Sequence, residues 1–369
     1  MRATARLGQL FAILAVSLMV ACSNTDSNSW TQTNSGVGGS AGAAGSVGTG
    51  GAGIGGTTTS AGSGSSGSGG NVAIDGTDAG IDTSAPDSDA ASTDAGGDGR
   101  AAVMASNGCG NMAPQALTTF LRHNVSQKTN NQQRVYDLYL PANYDPMRAY
   151  PIIFLDHGCD GSIPFMENPS MTTVTKGNAI IVALRAYSSQ QTGQPYGGGC
   201  FDTGPGSTSL TEVPYFDQVL QDVGDMACVD KARVFMAGFS SGSWLTNLLG
   251  CVRAGVIRAQ GNSTGGLPSV PKICAGPIAS MMVHDMQDPQ NSYAGGEIAR
   301  DRILAIDGCN MTMTVPYDYD GDPATPSTCM LYQGCMSGYP VVWCPTMNKG
   351  HVDQVPITTT GLWRFWSQF

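Results

Sequence analysis

Residues 233–249 read RVFMAGFSSGSWLTNLL, and this stretch decides the fold. Its first part has the apolar composition of a buried strand that ends at Phe239, and Ser243–Leu249 is typical of a helix. The turn Gly238–Gly242 matches G-x-S-x-G, in which glycines flank a serine at a strained strand-to-helix turn. The pattern predicts that Ser240 is a nucleophile at the top of a sheet and at a helix N-terminus. A Gly/Ser turn without chemistry is the alternative.

Strand and helix patterns alternate on both sides of this turn. Apolar strands separated by helices indicate an α/β fold, with a mostly parallel sheet covered on both faces. The predicted strands are Val135–Leu140, Pro151–His157, Ala179–Ala186, Arg233–Phe239, Pro277–His284 and Pro340–Cys344. The predicted helices are Val213–Met226, Ser243–Leu249, Gly296–Ile306 and Thr359–Phe369.

A nucleophilic serine needs a base, and the chain has four histidines, at 123, 157, 284 and 351. In α/β-hydrolases the acid and then the histidine follow the serine along the chain, which leaves His284 and His351. His284 ends a predicted buried strand and leaves little room for an acid before it. His351 lies in a loop after the last predicted strand, from which an imidazole can reach over the sheet edge. We therefore expect His351 to be the general base.

The acid is expected in the loop after the strand Pro277–His284. Asp285 and Asp288 both satisfy that condition. Asp288 lies further into the loop and is followed by Pro289, which would fix the turn. The spacing therefore favours Asp288 without excluding Asp285. The carboxylate would hold the histidine tautomer and stabilise the imidazolium.

A loop earlier in the chain is expected to supply one of the two backbone N–H groups that bind the oxyanion. Asp156–Gly161 (DHGCDG) follows the second predicted strand, the position from which one backbone N–H is expected. We expect the two donors to be the amides of Cys159 and Ser241, with Gly158 allowing close approach to the acyl oxygen. His157 is expected to pack and hydrogen-bond beneath the loop rather than to act as a base.

The first 22 residues are typical of an export signal. Arg2 and Arg6 precede an apolar run that ends at Ala21 and Cys22 and is too short to span a membrane. Small Ala21 before the cysteine resembles a bacterial lipobox, which implies that Cys22 becomes the lipid-bearing N-terminus. Ordinary cleavage near Ala21 is the alternative. Ser23 stands where an inner-membrane retention signal has Asp, so the resemblance implies a lipid-anchored cell-surface protein, on the outer membrane if there are two membranes.

Residues 23–104 have the composition of a disordered linker. The stretch holds 21 glycines between Gly36 and Gly99 and cannot bury a core. Its eight Asp and one Arg contribute −7 to a net charge of −10. This acidity excludes a nucleic-acid-binding protein, which needs a basic face. The predicted organisation is an export signal at 1–22, a linker at 23–104 and one folded domain at 105–369.

The ten cysteines after Cys22 all lie in the folded part. An even number in an exported domain predicts up to five disulfides, whose pairing the spacing leaves open. No C-x2-C pair occurs, and Asp318–Asp322 lacks the glycine and the glutamate of a calcium loop. We therefore expect no metal and no cofactor, and we expect a monomer.

Several motifs together resemble the secreted serine esterase family that contains feruloyl esterases and polyhydroxybutyrate depolymerase-like proteins. They are HGC at 157–159, CVD at 228–230, RVF at 233–235, the turn at 238–242, HDMQDPQNSYAGG at 284–296, YQGC at 332–335 and GH at 350–351. The resemblance covers about residues 107–369 and implies an α/β-hydrolase fold with Asp288 as the acid. The chain departs from the family pattern at Ser243, at Asp285 and at Val352–Gln354.

The resemblance favours an exported esterase that acts on feruloyl esters of plant cell-wall polysaccharide, a polymeric substrate. A polyhydroxyalkanoate depolymerase or an acetylxylan esterase would share the same residues and is the first alternative. A non-catalytic surface binding protein on a hydrolase scaffold is the second. The candidates for substrate contact are His157, Gly158, Tyr293 and Trp343, and packing is the alternative role of the two aromatic residues.

Overall fold

A computed structural model describes residues 101–111, 119–159, 161–187, 199–204 and 206–369. The predicted export signal, Cys22 and the linker as far as residue 100 lie outside these residues. The chain joins the domain at Met104, whose amide donates to the Asp230 carboxylate over 2.9 Å. Within the described ranges, no helix has the length and apolar character needed to cross a bilayer.

Ten strands form one sheet at the centre of the domain. They are β1 Leu121–Asn124, β2 Val135–Tyr139, β3 Tyr150–Asp156, β4 Ile180–Leu184, β5 Val229–Phe239, β6 Ala259–Ser263, β7 Ala279–Asp285, β8 Thr314–Pro316, β9 Met330–Tyr332 and β10 Val341–Thr346. Their order is β1-β2-β4-β3-β5-β6-β7-β10-β9-β8. The strands from β4 to β10 in this order are parallel, and antiparallel strands form both edges. The prediction of a mostly parallel sheet is confirmed.

Helices cover both faces of the sheet. They are α1 Met171–Val174, α2 Glu212–Met226, α3 Ser241–Val252, α4 Tyr293–Ile306, a π-helical turn Ile357–Gly361 and α5 Leu362–Trp366. Side chains alternate along β3, so that Ile152 and Phe154 pack with α2 and α3, whereas Ile153 and Leu155 pack with α5. Burial on both faces explains why the central strands are almost continuously apolar.

Several elements differ from the sequence prediction, and strands β1, β8 and β9 and the short helix α1 are not predicted. Strand β6 has the sequence AQGNS and is not predicted, because its polar residues conceal a fully buried strand. Some of its polar groups bond to neighbouring elements, for example Gln260 Nε2 to Ser280 Oγ over 3.1 Å, whereas Gln260 Oε1, Asn262 Nδ2 and Ser263 Oγ have no partner among the described residues. The predicted helix Thr359–Phe369 begins instead with the π-helical turn, in which Gly361 N donates to Pro356 O over 3.2 Å. The α-helix itself spans only Leu362–Trp366.

Five disulfides join all ten cysteines of the domain. The pairs are Cys109–Cys228, Cys159–Cys200, Cys251–Cys274, Cys309–Cys335 and Cys329–Cys344. The predicted number is confirmed, and the structure supplies the pairing that the sequence leaves open. Disulfides of this density form in oxidising compartments, so the domain is that of an extracellular protein.

Asp307, which follows α4, is a buried carboxyl group that accepts one backbone hydrogen bond. Its Oδ1 accepts from Ile278 N over 3.1 Å, Oδ2 has no partner among the described residues, and burial raises the pKa to about 7. The folded state therefore binds the proton more tightly than the unfolded chain does. The stability contributed by this proton is present below about pH 4 and is lost as the pH rises through 7.

We expect Asp307→Asn, which keeps the shape without the charge, to remove this pH dependence. The variant's advantage over wild type in the free energy of unfolding should grow by about 1–3 kcal/mol from pH 5 to pH 8. Denaturant unfolding of both proteins at the two pH values measures the effect. If the two proteins differed in the free energy of unfolding by the same amount at pH 5 and at pH 8, the raised pKa assigned to Asp307 would be contradicted.

Candidate active site

Ser240 lies at a strained turn between β5 and α3. Its backbone has φ 53° and ψ −117°, a conformation that L-residues rarely adopt. The two glycines of the turn allow the chain to pass so closely. A Cβ on Gly238 would lie 2.1 Å from Gly242 O, and a Cβ on Gly242 would lie 2.0 Å from Asp156 O. The turn therefore requires glycine at both positions, and it lifts the serine side chain above the sheet.

The structure brings Ser240, His351 and Asp288 into one hydrogen-bonded line. Ser240 Oγ lies 2.8 Å from His351 Nε2, and His351 Nδ1 lies 2.8 Å from Asp288 Oδ2. The three residues follow the carboxyl ends of β5, β10 and β7, which meet at the same edge of the parallel sheet. Because a carboxylate only accepts, Nδ1 of His351 carries a proton and leaves Nε2 to accept one from Ser240.

Asp285 is the last residue of β7, whereas Asp288 lies in the loop that follows the strand. The Asp288 side chain has no solvent exposure, and its Oδ1 accepts from the amides of Gln290 and Asn291 at 2.8 and 2.9 Å. Asp285 makes no hydrogen bond to His351. Instead, Oδ2 accepts from Lys349 N at 2.9 Å and from Thr346 Oγ1 at 3.1 Å. Asp285 thus holds the loop that carries the histidine, whereas Asp288 contacts the histidine itself.

The same contacts explain the ionisation of Asp285. Burial opposes the charge of this carboxyl group, but the backbone amides of Lys349, Gln287 and Gly350 outweigh it and hold the pKa below the usual value. Asp285 is therefore a carboxylate at neutral pH. Its structural role is not predicted from the sequence, where both aspartates satisfy the same positional condition.

His157 fixes the orientation of the loop that follows β3. Its Nδ1 lies 2.5 Å from Gly158 O, and its Nε2 accepts from Ala186 N over 3.0 Å, so the ring is neutral with the proton on Nδ1. In a trans peptide the C=O and N–H groups point in opposite directions. The Gly158 carbonyl faces the His157 ring, and the Cys159 N–H therefore points away from that ring.

The Ser241 side chain links the loops on either side of the nucleophile. Its hydroxyl donates to His157 O over 3.4 Å and accepts from Phe201 N over 3.3 Å. The disulfide between Cys159 and Cys200 joins the same two segments covalently. Both cysteines of this pair are solvent-exposed. The loop that carries the Cys159 amide is thus tied from two directions.

We expect the double variant Cys159→Ser/Cys200→Ser to lower kcat about 10–100-fold, because an oxyanion donor whose loop has lost its covalent tie is less well placed. The matched control is Cys309→Ser/Cys335→Ser. That pair follows the carboxyl end of α4, whereas the amino end of α4 adjoins the Asp288 loop. The control should lose stability and keep kcat. Ester hydrolysis and thermal unfolding of both variants make the comparison, and equal kcat values would contradict it.

A groove of about 450 Å³ runs beside His351. Its lining residues are Ser162, Ile163, Pro164, Met166, Glu167, Phe239, His351, Val352 and Asp353. The Phe239 and His351 rings pack with centroids 5.0 Å apart. Asp353 Oδ2 accepts from Phe165 N over 3.0 Å and so joins the two walls. The groove therefore opens directly onto the histidine.

The expected substrate contacts are in part wrong. Trp343 is 4% exposed and packs against α4 with Ile303 and Leu304, and its Nε1 donates to Tyr293 OH over 3.2 Å. Alternation along β10 turns this side chain into the core, so it is not available to a substrate. Tyr293 is half-buried and packs edge-on against the ring of His284, whose centroid lies 5.8 Å from its own.

His157 and Gly158, at the start of the loop that is expected to bind the oxyanion, have different surroundings. The His157 side chain belongs to the buried core, at 1% exposure, and the expectation that it contacts substrate is wrong for the same reason as for Trp343. A Cβ on Gly158 would lie 3.5 Å from Ser240 Cβ and 3.0 Å from the Phe239 ring. Gly158 therefore lies beside Ser240.

No protein-family model matches the chain. Feruloyl esterase D of Neurospora crassa is 30% identical over 298 residues, which cover 73% of this chain and 92% of that protein. Feruloyl esterase C of Emericella nidulans is 31% identical over 183 residues, which cover 48% of this chain and 64% of that protein. Among solved structures, an acetyl xylan esterase from Aspergillus awamori aligns with a TM-score of 0.49 and 15% identity, over 68% of this chain and 100% of that chain.

The similarity to the Neurospora protein extends over most of both chains. The chain therefore belongs to the feruloyl esterase family, and it is a carboxylic ester hydrolase of the α/β-hydrolase fold.

Proposed function

We propose that Ser240, His351 and Asp288 form the catalytic triad of this esterase. The observation that carries the proposal is the unbroken line of 2.8 Å contacts from Ser240 Oγ through the imidazole to the buried Asp288 carboxylate. A nucleophile, a base and an orienting acid in this geometry are what acyl transfer requires.

The reaction proceeds by two acyl transfers. Ser240 Oγ attacks the ester carbonyl while His351 Nε2 takes its proton, and the amides of Cys159 and Ser241 hold the oxyanion. As the tetrahedral intermediate collapses, His351 returns the proton to the departing alkoxide and an acyl-enzyme remains. Water then attacks the acyl group with His351 again as the base, which releases the acid and restores the Ser240 hydroxyl.

The alcohol part of the ester occupies the groove beside His351. The departing oxygen takes its proton from His351 Nε2, so the alcohol must lie on the histidine side of the nucleophile. The groove there is open and carries two carboxylates, Glu167 and Asp353, beside apolar Ile163 and Met166. Such a lining suits a neutral hydroxylated alcohol of variable size, as in an esterified polysaccharide.

The substrates proposed are feruloyl esters of plant cell-wall polysaccharide. The support is the family membership, since the relatives described above are feruloyl esterases by name. We further propose that the mature protein is a lipoprotein anchored to the cell surface through Cys22, which stands at the end of the predicted export signal. Mass spectrometry of the mature N-terminus tests the anchor, and an unmodified Cys22 would remove it.

A comparison of three esters tests the reaction and its specificity. Methyl ferulate, p-nitrophenyl acetate and a hydroxybutyrate oligomer are offered to the full-length protein, with Ser240→Ala as the blank. Serine-dependent release of ferulate as the preferred product supports the proposal. Preference for the oligomer would replace the substrate class and keep the triad. A folded protein that is silent on all three esters and forms no adduct with an organophosphonate would overturn the catalytic reading in favour of a binding scaffold.

A further inference from the structure

A second histidine lies directly behind the proposed acid. His284 occupies the end of β7, and its side chain is 1% exposed. Its Nε2 lies 2.9 Å from Asn291 O and 3.7 Å from Asp288 Oδ2. The chain leaves room for this ring on its other side, because a Cβ on Gly296 would lie 2.3 Å from His284 Nδ1. The imidazole therefore occupies a space that α4 keeps free for it.

The contacts of His284 define where its proton lies. The Asn291 carbonyl only accepts, so the 2.9 Å contact requires a proton on Nε2 of the imidazole. Burial is the largest influence on this group and lowers its pKa, so the ring is neutral at physiological pH. The same N–H is directed to the side of the ring on which the Asp288 carboxylate lies, at 3.7 Å.

Asn291 connects this imidazole to the acid. Its backbone N–H donates to Asp288 Oδ1 over 2.9 Å, and its side-chain amide donates to Thr264 O over 2.6 Å. Thr264 N in turn donates to Val283 O over 3.0 Å, next to His284 in β7. His284, Asn291 and Thr264 thus close a ring of hydrogen bonds that sets the position of one amide donor to the carboxylate.

We propose that His284 is a positioning residue for Asp288. By holding the Asn291 carbonyl, it aims the Asn291 N–H at Oδ1 and so leaves Oδ2 facing His351 Nδ1. Its own N–H adds a partial positive charge beside a carboxylate that has no solvent exposure. This inference rests on the proposed triad, because positioning Asp288 affects the rate only if Asp288 orients the base.

Two substitutions separate positioning from packing. His284→Leu removes the donor and fills the cavity, whereas His284→Gln retains an N–H donor near the position of Nε2. We expect the Leu variant to lower kcat about 10–100-fold and to keep KM within threefold of the wild-type value. If the Leu variant shows the full 100-fold loss, the Gln variant should have a kcat at least about tenfold higher than that of the Leu variant. Rates are expressed per active site titrated with an organophosphonate, so that unfolded protein does not enter the comparison. If the Leu variant does not fold, His284→Asn, which is too short to reach Asn291 O, replaces it.

A double-mutant cycle with Asp288→Asn provides the decisive readout. If His284 acts through Asp288, its substitution lowers kcat in the wild-type background and has an effect of less than twofold once Asp288 is Asn. A merely structural histidine would lower kcat by the same factor in both backgrounds, and that result, or an unchanged kcat in the folded variant, would overturn the proposal. Failure of the proposed triad is distinguishable, because wild-type hydrolysis would then survive Ser240→Ala.

Discussion

Ser240→Ala is expected to lower kcat by about 10⁵–10⁶-fold, the largest effect on activity that any single change in this chain should have. The substitution removes the atom that forms the acyl bond, and no neighbouring hydroxyl can replace it. Ser241 Oγ is engaged between His157 O and Phe201 N rather than with His351. The rate that remains should be the slow hydrolysis supported by the oxyanion amides and substrate binding alone.

The fold should survive this change. Among the residues that the structure describes, the Ser240 hydroxyl bonds to His351 alone, and alanine meets the same backbone strain at φ 53° as serine does. The matched control is Ser243→Ala, three residues later, whose hydroxyl lies 3.2 Å from Asn262 Oδ1 and not at the site. The control should keep kcat within a few-fold. Retention of more than about 1% of wild-type activity by Ser240→Ala, on any ester of the panel, would contradict the assignment.

Gly242→Ala is expected to have the largest effect on stability. The added Cβ would lie 2.0 Å from Asp156 O, 2.4 Å from Asp156 C and 2.8 Å from Asp156 Cβ. The carbonyl is part of β3 and cannot move without breaking its pairing with the neighbouring strands. We therefore expect a loss of about 3 kcal/mol or more in the free energy of unfolding, with little soluble protein recovered.

Gly255→Ala is the matched control for this steric argument. Gly255 lies in the turn after α3, and no atom lies within 4 Å of a Cβ built there. The control should change the free energy of unfolding by no more than about 0.5 kcal/mol. Denaturant unfolding of the two variants beside wild type measures both effects. A Gly242→Ala protein as stable as the control would mean that β3 and the turn do not approach each other as the structure shows.

The central fold could be predicted from the sequence because its strands are buried on both faces and therefore apolar. Strands β3 and β4 satisfy that condition, and helix α2 carries its apolar residues at helical spacing. Strand β6 does not, because Gln260, Asn262 and Ser263 give this buried strand a polar sequence. The edge strands β1, β8 and β9 are short and half-exposed, so their pattern carries little signal.

The candidate site also contains residues that the sequence pattern predicts and residues that it does not. Ser240 is marked by its two glycines, and the chain order together with a loop position favours His351 over His284, so the sequence pattern suffices to predict both. Asp285 and Asp288 are close in the sequence, and only the geometry shows which carboxylate contacts the imidazole. Trp343 was misassigned because the alternation along a strand does not indicate which face meets a substrate. The roles of Asp285 and Asn291 depend on contacts between distant segments, which the sequence pattern does not contain.

The disulfide between Cys159 and Cys200 makes the expected activity depend on the redox state of the compartment that holds the protein. In the reducing cytoplasm, where the polypeptide is made, this pair is a pair of thiols and the loop with the Cys159 amide lacks its covalent tie. A newly synthesised chain would thus be a poor catalyst even if its core had formed. Oxidation outside the cytoplasm would tie this loop and so complete the proposed oxyanion site.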